Sequence, residues 1–480
     1  MLPSQASWLG VDMAIDNARI AEIVAQVVAN LRQSAPSSSP NMDHELGHGV
    51  FATVDQAATA AAQAQKQLAK LDLASRERLI AAIRETGVAH AERFARLTID
   101  ETGLGRYEHK VQKNINAAQL TPGTEDLLRD VQTGAYGTAL TQAAPYGVIC
   151  SILPTTHPTP MIINQAIMMV ASGNAVFCCP HPRAAACTRE ALRTVNQAIV
   201  AAGGPANLLV AVDKVSVEIV NEVMAHPAIS LVTVAGGPGV VKAALTSGKR
   251  AIAAGPGNPP VLVDETADIV KAAQDIVAGA TFDNNILCIA EKVIFAVAEI
   301  CDQLMEQMEQ AGCVRLRGSD IEKVTTLVVK DNHINGEFVG KDAAAILRAA
   351  GIEASQQTLG AIMEVSAEHP LVFLEQMMPI LPVVRVEDFS EGLQLAIQAE
   401  QGFGHTGQIH SQRLERIDQY IRALNTTIVV VNGPSYAGLG IEGTGLFTHT
   451  VASTTGEGIC TPRTFTRQRN ATVCNALAQY

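Results

Sequence analysis

Residues 147–179 read GVICSILPTTHPTPMIINQAIMMVASGNAVFCC. Two short apolar runs, Val148–Leu153 and Ala175–Cys179, flank a helical pattern over Thr159–Val170. An unbroken apolar run of roughly four to eight residues, bounded by Gly and Pro, reads as a strand buried on both faces. Further along, helical patterns over Ala184–Ala202 and Val215–Ala225 alternate with apolar runs at Leu208–Val212 and Leu231–Ala235. Strand and helix alternating at this spacing predict a doubly wound parallel sheet. A second such stretch runs from about Ile269 to Val431. The fold class is therefore α/β, with two parallel-sheet domains. Upstream, Ala-rich residues 51–105 have helical periodicity over Val54–Ala69, Ala74–Gly87 and Ala89–Thr102. No internal repeat is apparent.

Composition narrows the function classes. The chain has 480 residues, 48% of them hydrophobic and 17% charged, so it can bury a large core and is not globally disordered. At roughly 100–200 residues per domain, two or three domains are expected. Lys plus Arg number 35 against 47 Asp plus Glu, a net charge of −12. That balance provides no basic surface for nucleic acid, and an anionic ligand must be held by local donors. No apolar run reaches the roughly 18–20 residues of a membrane span, and the N-terminus lacks the basic-then-apolar order of a secretion signal. The nine cysteines are scattered without a CxxC pair. They predict a reduced interior with neither a disulfide frame nor a metal site.

Residues 16–33 carry Ile20, Ile23, Val24, Val27, Val28 and Leu31 on one stripe at helical spacing, with Asp16 as N-cap. A Ser/Pro linker, Ser34–Pro40, follows. A short tethered amphipathic helix needs a partner for its stripe, either the body of its own chain or another protein.

Three stretches could carry chemistry. In Phe282-Asp-Asn-Asn-Ile-Leu-Cys288-Ile-Ala-Glu-Lys292, a Cys stands between a polar loop and an apolar run. Its thiolate would be a nucleophile toward carbonyl carbon, although one Cys among nine is ordinarily a small buried hydrophobe. Ala235-Gly-Gly-Pro-Gly-Val-Val-Lys242 lies between a strand and a helix. Gly236, Gly237 and Gly239 would let backbone N–H groups and a helix N-terminus approach an anion. Ala254-Gly-Pro-Gly-Asn258-Pro-Pro is a compact loop able to place backbone beside a ligand. Each is weak alone.

Together with Pro154-Thr-Thr-His-Pro158 upstream and Glu375-Gln-Met-Met-Pro379 downstream, their order and spacing resemble the aldehyde dehydrogenase superfamily over about residues 50–465. The matching stretches are PTTHPTP, AGGPGVVKAALTSGKRAIAAGPGNPP, FDNNILCIAEK, EQMMPILPVVRV and HTGQIHS. They are most similar to the CoA-acylating branch that serves ethanolamine- and propanediol-utilisation microcompartments. The N-terminal helix is similar to that branch's encapsulation peptide.

The resemblance implies an aldehyde dehydrogenase-like fold in four parts. Residues 1–36 would be the encapsulation helix and linker, and 37–265 the NAD-binding domain, with an oligomerisation element near 130–146. Residues 266–435 would be the catalytic domain, and 436–480 a C-terminal return and oligomerisation segment. The implied reaction converts a short aliphatic aldehyde, acetaldehyde or propionaldehyde, with NAD and CoA into acyl-CoA and NADH. Cys288 takes the nucleophile's place and forms a thioester. Its backbone N–H would donate to the oxyanion. The superfamily's second donor is an Asn, but here Thr156 stands at that position and is followed by His157. Thr156 could donate through its hydroxyl, and His157 could donate, act as a base or only shape the loop. The Glu that activates water in hydrolytic members is replaced by Ala254, which favours resolution of the thioester by CoA.

Glu375 would hold the nicotinamide ribose, and the 236–239 turn the pyrophosphate. Pro154, Thr155, Gly255 and Gly257 would line the cofactor region. His181 and Arg183 stand near the lost ribose-binding Lys and Glu of the superfamily, and could meet ribose or phosphate, including those of CoA. His405-Thr406-Gly407 is read as structural. A homodimer or homotetramer in the bacterial cytoplasm is expected, encapsulated in a microcompartment through contacts of residues 16–33 with shell or core enzymes. The competing readings are a hydrolytic or semialdehyde dehydrogenase that releases a free acid, and an inactive shell-docking protein.

Overall fold

The computed structural model describes residues 46–127 and 129–477. The helix expected over 16–33 and its linker lie outside the described residues.

Two parallel sheets organise the chain. The first has six strands in the spatial order Val50–Phe51, Leu209–Val212, Ala175–Cys179, Val148–Ile152, Ile229–Ala235 and Arg250–Ala254. All neighbours in it run parallel. Winding starts at Val148–Ile152, proceeds to one side through 175 and 209, then returns to the other side through 229 and 250. The order therefore reverses between Val148–Ile152 and Ile229–Ala235, and such a switch point opens a crevice beyond the carboxyl ends of the strands.

The helix Pro158–Ser172 shows how the local sequence positions one lip of that crevice. Pro158 opens it, and Gly173, at φ +82°, closes it in the left-handed conformation that suits glycine. Every residue of the helix is buried. Side chains such as Ile162, Ile163, Ile167 and Met168 each stabilise the fold by about 1.5–3 kcal/mol through burial. The preceding loop, 154–157, is thus held by a helix that cannot shift without opening the core.

The second sheet has seven parallel strands in the order Cys313–Leu316, Gly360–Glu364, Ile380–Val386, Val293–Val297, Pro260–Val263, Thr406–His410 and Ile428–Val431. One strand of this sheet lies before the expected boundary at 265/266. Pro260–Val263 pairs with Val293–Val297 and Thr406–His410, so it belongs to the second sheet. The run Val-Leu-Val is apolar enough for either sheet, and its partners come later in the chain, so local sequence could not assign it.

A third, antiparallel sheet joins Arg129–Gly134, Gly137–Pro145 and Thr466–Cys474. It brings the segment expected near 130–146 together with part of the expected 436–480 segment, and the strand Arg129–Gly134 is exposed along its length. Between 447 and 465 the chain returns to the first sheet, where Phe447, Ala452, Cys460 and Phe465 join its core.

Candidate active site

The residues singled out from the sequence fall on two facing edges. Loops 154–157, 180–183, 236–239 and 255–259 leave the carboxyl ends of strands in the first sheet. Gly257, Cys288, Glu375 and His405 precede the amino ends of strands 260–263, 293–297, 380–386 and 406–410 in the second. Loop 255–259 is the direct crossing between the two edges.

The Cys288 loop is built by polar side chains. Asp283, Asn284 and Asn285 have φ of +50°, +56° and +67°. Asn and Asp tolerate this left-handed region better than other non-glycine residues, but three in succession require outside support. Asn285 Nδ2 donates to the carbonyls of Ala280 (2.8 Å) and Glu291 (2.9 Å). Lys292 is fully buried, and its ammonium donates to Asn285 Oδ1, to the Asn285 carbonyl at 3.0 Å and to the Leu287 carbonyl at 3.2 Å. Gln376 Nε2 holds the Lys292 carbonyl at 2.8 Å, and Gln408 Nε2 holds that of Ile289 at 3.1 Å. Cys288 is left half-buried at the end of this frame.

The electrostatics of the thiol are balanced by two neighbours. Burial pushes Cys288 up to about 11; the Glu375 carboxylate adds to the rise, and the Lys292 ammonium opposes it. Glu375 is itself raised to about 7 by burial, with Lys292 and the Gly257 N–H pulling the other way. Lys292 falls to about 8, again by burial. Gly257 ties the group together. A Cβ there would lie 3.0 Å from the Cys288 carbonyl oxygen and 2.9 Å from His405 Cγ. His405 is buried and pulled down to about 4 by burial, hence neutral at ordinary pH. Its Nδ1 meets Thr406 Oγ1 at 2.9 Å, while its buried Nε2 has no partner.

The 154–158 loop reaches this frame indirectly. The Thr156 carbonyl accepts from Lys110 Nζ at 2.6 Å, and Lys110 also pairs with Asp283 Oδ2 at 2.9 Å. Thr156 Oγ1 lies 2.7 Å from His157 Nδ1. The His157 ring is buried and stacks on His449 at 5.3 Å. Burial, then His449, Lys113 and Lys110, hold His157 well below its ordinary range. That low basicity makes it a poor proton acceptor and a better neutral hydrogen-bonding group. Pro154 and Thr155 lie partly exposed on the lip of the loop.

The carboxyl edge of the first sheet has the features of a nucleotide cradle. Gly237 caps the helix Pro238–Leu245, and a Cβ at Gly237 or Gly239 would meet nothing within 4 Å. The Gly236 N–H donates to the Ala254 carbonyl at 3.3 Å, which joins the turn to the 255–259 crossing. A Cβ at Gly255 would lie 3.2 Å from Thr454 Oγ1. Open space before a helix N-terminus, together with a Glu375 carboxylate that has no ion pair among the described residues, fits a dinucleotide carrying phosphates at one end and a ribose diol at the other. His181 Nδ1 accepts the Arg183 N–H at 3.2 Å, and burial pulls the ring down to about 4. This pair sits at the carboxyl end of strand Ala175–Cys179.

Sequence reasoning missed Lys110, Lys113, Asp283, Lys292 and His449, and gave His405 only a structural part. A charged residue in a helical or apolar run does not reveal that it is buried. The nearest signal was the tandem Asp283-Asn-Asn285, a cluster suited to left-handed backbone.

Comparison with known proteins agrees with this geometry. Residues 36–445 match the aldehyde dehydrogenase family. The acetylating acetaldehyde dehydrogenase EutE of Escherichia coli is 44% identical over 440 residues, covering 90% of this chain and 93% of that protein. The structure of a Rhodopseudomonas palustris propionaldehyde dehydrogenase with bound CoA and an acylated cysteine superposes with a TM-score of 0.88 at 43% identity, covering 90% of this chain and 99% of that one. A propionaldehyde dehydrogenase from the fucose-utilisation microcompartment of Clostridium phytofermentans gives the same TM-score, 0.88, identity, 43%, and coverage, 90% and 99%. The chain belongs to the aldehyde dehydrogenase family. Within it, the chain falls in the CoA-acylating branch of these oxidoreductases.

Proposed function

We propose that this chain oxidises a short aliphatic aldehyde, acetaldehyde or propionaldehyde, and passes the acyl group to CoA through a thioester on Cys288. The observation that carries the reading is the crossing loop. It joins Cys288 and Glu375 through Gly257 and follows Ala254, whose side chain has no carboxylate to activate water. The Cys288 thiolate adds to the aldehyde carbonyl, and its backbone N–H and the Thr156 hydroxyl donate to the oxyanion. Glu375 would hold the ribose of NAD, and Gly236, Gly237 and Gly239 its pyrophosphate; the bound cofactor would supply the hydride acceptor for thioester formation. CoA then displaces the acyl group from Cys288. His181 and Arg183 could contact ribose or phosphate of either cofactor.

The test is NADH formation from propionaldehyde and NAD, with and without CoA, for the wild type and Cys288→Ala. The expected result is CoA-dependent turnover, propionyl-CoA by mass and no turnover in the variant. Repeated turnover without CoA, giving propionate, would replace this reading with a hydrolytic one.

The stripe at Ile20, Ile23, Val24, Val27, Val28 and Leu31 supports a second proposal, that residues 16–33 direct the enzyme into a microcompartment within the cytoplasm. Deletion of residues 1–36 then leaves turnover intact and abolishes co-purification with shell proteins. Loss of turnover would instead make the segment part of the catalytic body. The exposed antiparallel sheet is proposed as the contact of a homodimer or homotetramer, testable by light scattering after charge substitution at Val131.

A further inference from the structure

The helix Tyr107–Leu120 holds a buried charge cluster with no part in the steps above. Asp283 is 0% exposed. Its Oδ2 is shared by Lys110 Nζ at 2.9 Å and by Lys113 Nζ. Its Oδ1 accepts the Arg106 N–H at 2.9 Å, and its own N–H donates to His109 Nδ1 at 2.8 Å. The fit is close: Gly105 has φ +81°, and a Cβ there would lie 2.1 Å from Asp283 Oδ1. Burial alone would raise Asp283, but the two lysines hold it below the usual carboxylate range, so it is ionised. Burial lowers Lys113 to about 8, against the pull of Asp283.

A charge cluster buried this deeply is weak evidence for stability, because desolvation of the ions offsets much of their attraction. Its connections show a different use. The ammonium of Lys110 has two acceptors on separate segments: the Asp283 carboxylate on the nucleophile loop and the Thr156 carbonyl on the 154–158 loop, at 2.6 Å. Lys113 bonds Asp283 and also reaches the Ile286 carbonyl, at 3.5 Å. Asp283 opens the run of three left-handed residues leading to Cys288. Strained backbone of this kind persists where surrounding contacts over-determine it, and such sites cluster at functional loops.

We propose that Lys110 and Asp283 form a positioning clamp that fixes the Thr156 loop relative to the Cys288 loop, and so sets the geometry in which the aldehyde is acylated. Lys110 is a positioning residue that acts through the Thr156 carbonyl and the Asp283 carboxylate. The proposal rests on the thioester reading of Cys288 but does not depend on CoA, since it concerns the first half-reaction only.

The test compares the wild type with Lys110→Met, Asp283→Asn and the double variant. Three quantities are read in the full-length enzyme: the NADH burst per folded active site with NAD and propionaldehyde and no CoA, the KM values, and the rate of Cys288 alkylation by iodoacetamide. A displacement of about an ångström costs on the order of 100-fold in rate. Lys110→Met is therefore expected to slow the burst about 100-fold, with KM for aldehyde and NAD changed less than about threefold and alkylation within about threefold of wild type. The double variant should be no slower than the worse single variant, because both single changes open the same clamp.

A burst at the wild-type rate per folded site, with only thermal stability lost, overturns the proposal and leaves the cluster a structural one. Alkylation falling in step with the burst also overturns it, because Lys110 would then act on the thiolate's charge. Should Lys110→Met fail to fold, Asp283→Asn answers the same questions through the same readouts. A wild type that gives no NADH with any short aldehyde contradicts the proposed reaction instead, so the two failures are distinguishable.

Discussion

The two sheets serve the same cleft from opposite ends of their strands. The first offers carboxyl ends, where loops 154–157 and 236–239 run directly into helices. Its contribution is mainly backbone and open space. The second sheet offers amino ends, where Cys288, Glu375 and His405 lie in the loops that enter strands. Its contribution is side chains, and each is held by buried polar contacts. Binding charge on a ligand needs only donors aimed at an open cradle. Reaction at a carbonyl needs atoms kept within a fraction of an ångström, and that requires dense packing. The contrast predicts that equal-sized changes have unequal effects at the two edges.

The largest effect is expected at the crossing. Gly257→Val drives a branched side chain toward the Cys288 carbonyl and His405, where a Cβ alone already lies at 3.0 and 2.9 Å. Overpacking of this kind costs about 1–3 kcal/mol of stability, and displacement of the reacting atoms costs on the order of 100-fold or more in kcat. Steady-state kinetics beside thermal melting check both. A variant with unchanged kcat would show that the two edges are not held in register by this loop.

Next comes Lys292→Met, which leaves the Asn285 and Leu287 carbonyls without their donor and removes the cation that favours the Cys288 thiolate. Stability should fall by about 1–3 kcal/mol per stranded acceptor. The pH curve of Cys288 alkylation should move upward, since a thiol already near 11 loses its stabilising charge.

Glu375→Gln moves the same curve in the opposite direction. The carboxylate raises Cys288, so neutralising it favours the thiolate and makes alkylation faster at a given pH. The same change weakens the proposed ribose contact, so KM for NAD should rise about tenfold, near 1.4 kcal/mol. Faster alkylation with a poorer KM would separate the two parts played by this residue. Slower alkylation would show that Glu375 and Cys288 do not interact as the geometry implies.

The two edges also differed in how far they could be read from sequence. The first sheet's strands were legible because burial on both faces makes each one a bare apolar run, as at Ala175–Cys179, which the structure places at those same bounds. The 236–239 turn was legible for the same local reason: strand, glycines and helix are contiguous. The sheet to which Pro260–Val263 belongs was not legible, because a parallel strand's neighbours are set by topology, not by its own residues. Family resemblance singled out Cys288 as the proposed nucleophile, but the buried support around it was not legible. Asp283 is held by Lys110 and Lys113 from a helix far upstream, and nothing in a helical stretch of mixed charge marks those lysines as buried. The packing of His405 at Gly257, beside the Cys288 carbonyl, was not legible because those atoms come from two other segments.

The smallest effect is expected at Gly239, and it is the sharpest test of the contrast. The residue stands in the first turn of Pro238–Leu245, with open space where a Cβ would go, and its φ is not in the left-handed region. Neither packing nor backbone therefore requires glycine there. Alanine is the better helix former by up to about 1 kcal/mol, so Gly239→Ala should leave the melting temperature unchanged or raised. If the turn is a cradle for a pyrophosphate, the added methyl intrudes on the ligand alone. KM for NAD should then rise by about three- to tenfold, or about 0.7–1.4 kcal/mol, with kcat preserved because the Cys288 frame is untouched. A stabilised protein that binds its cofactor less well would mean the glycine is kept for the ligand. An unchanged KM would move the pyrophosphate away from this turn, to another of the loops at the first sheet's carboxyl edge.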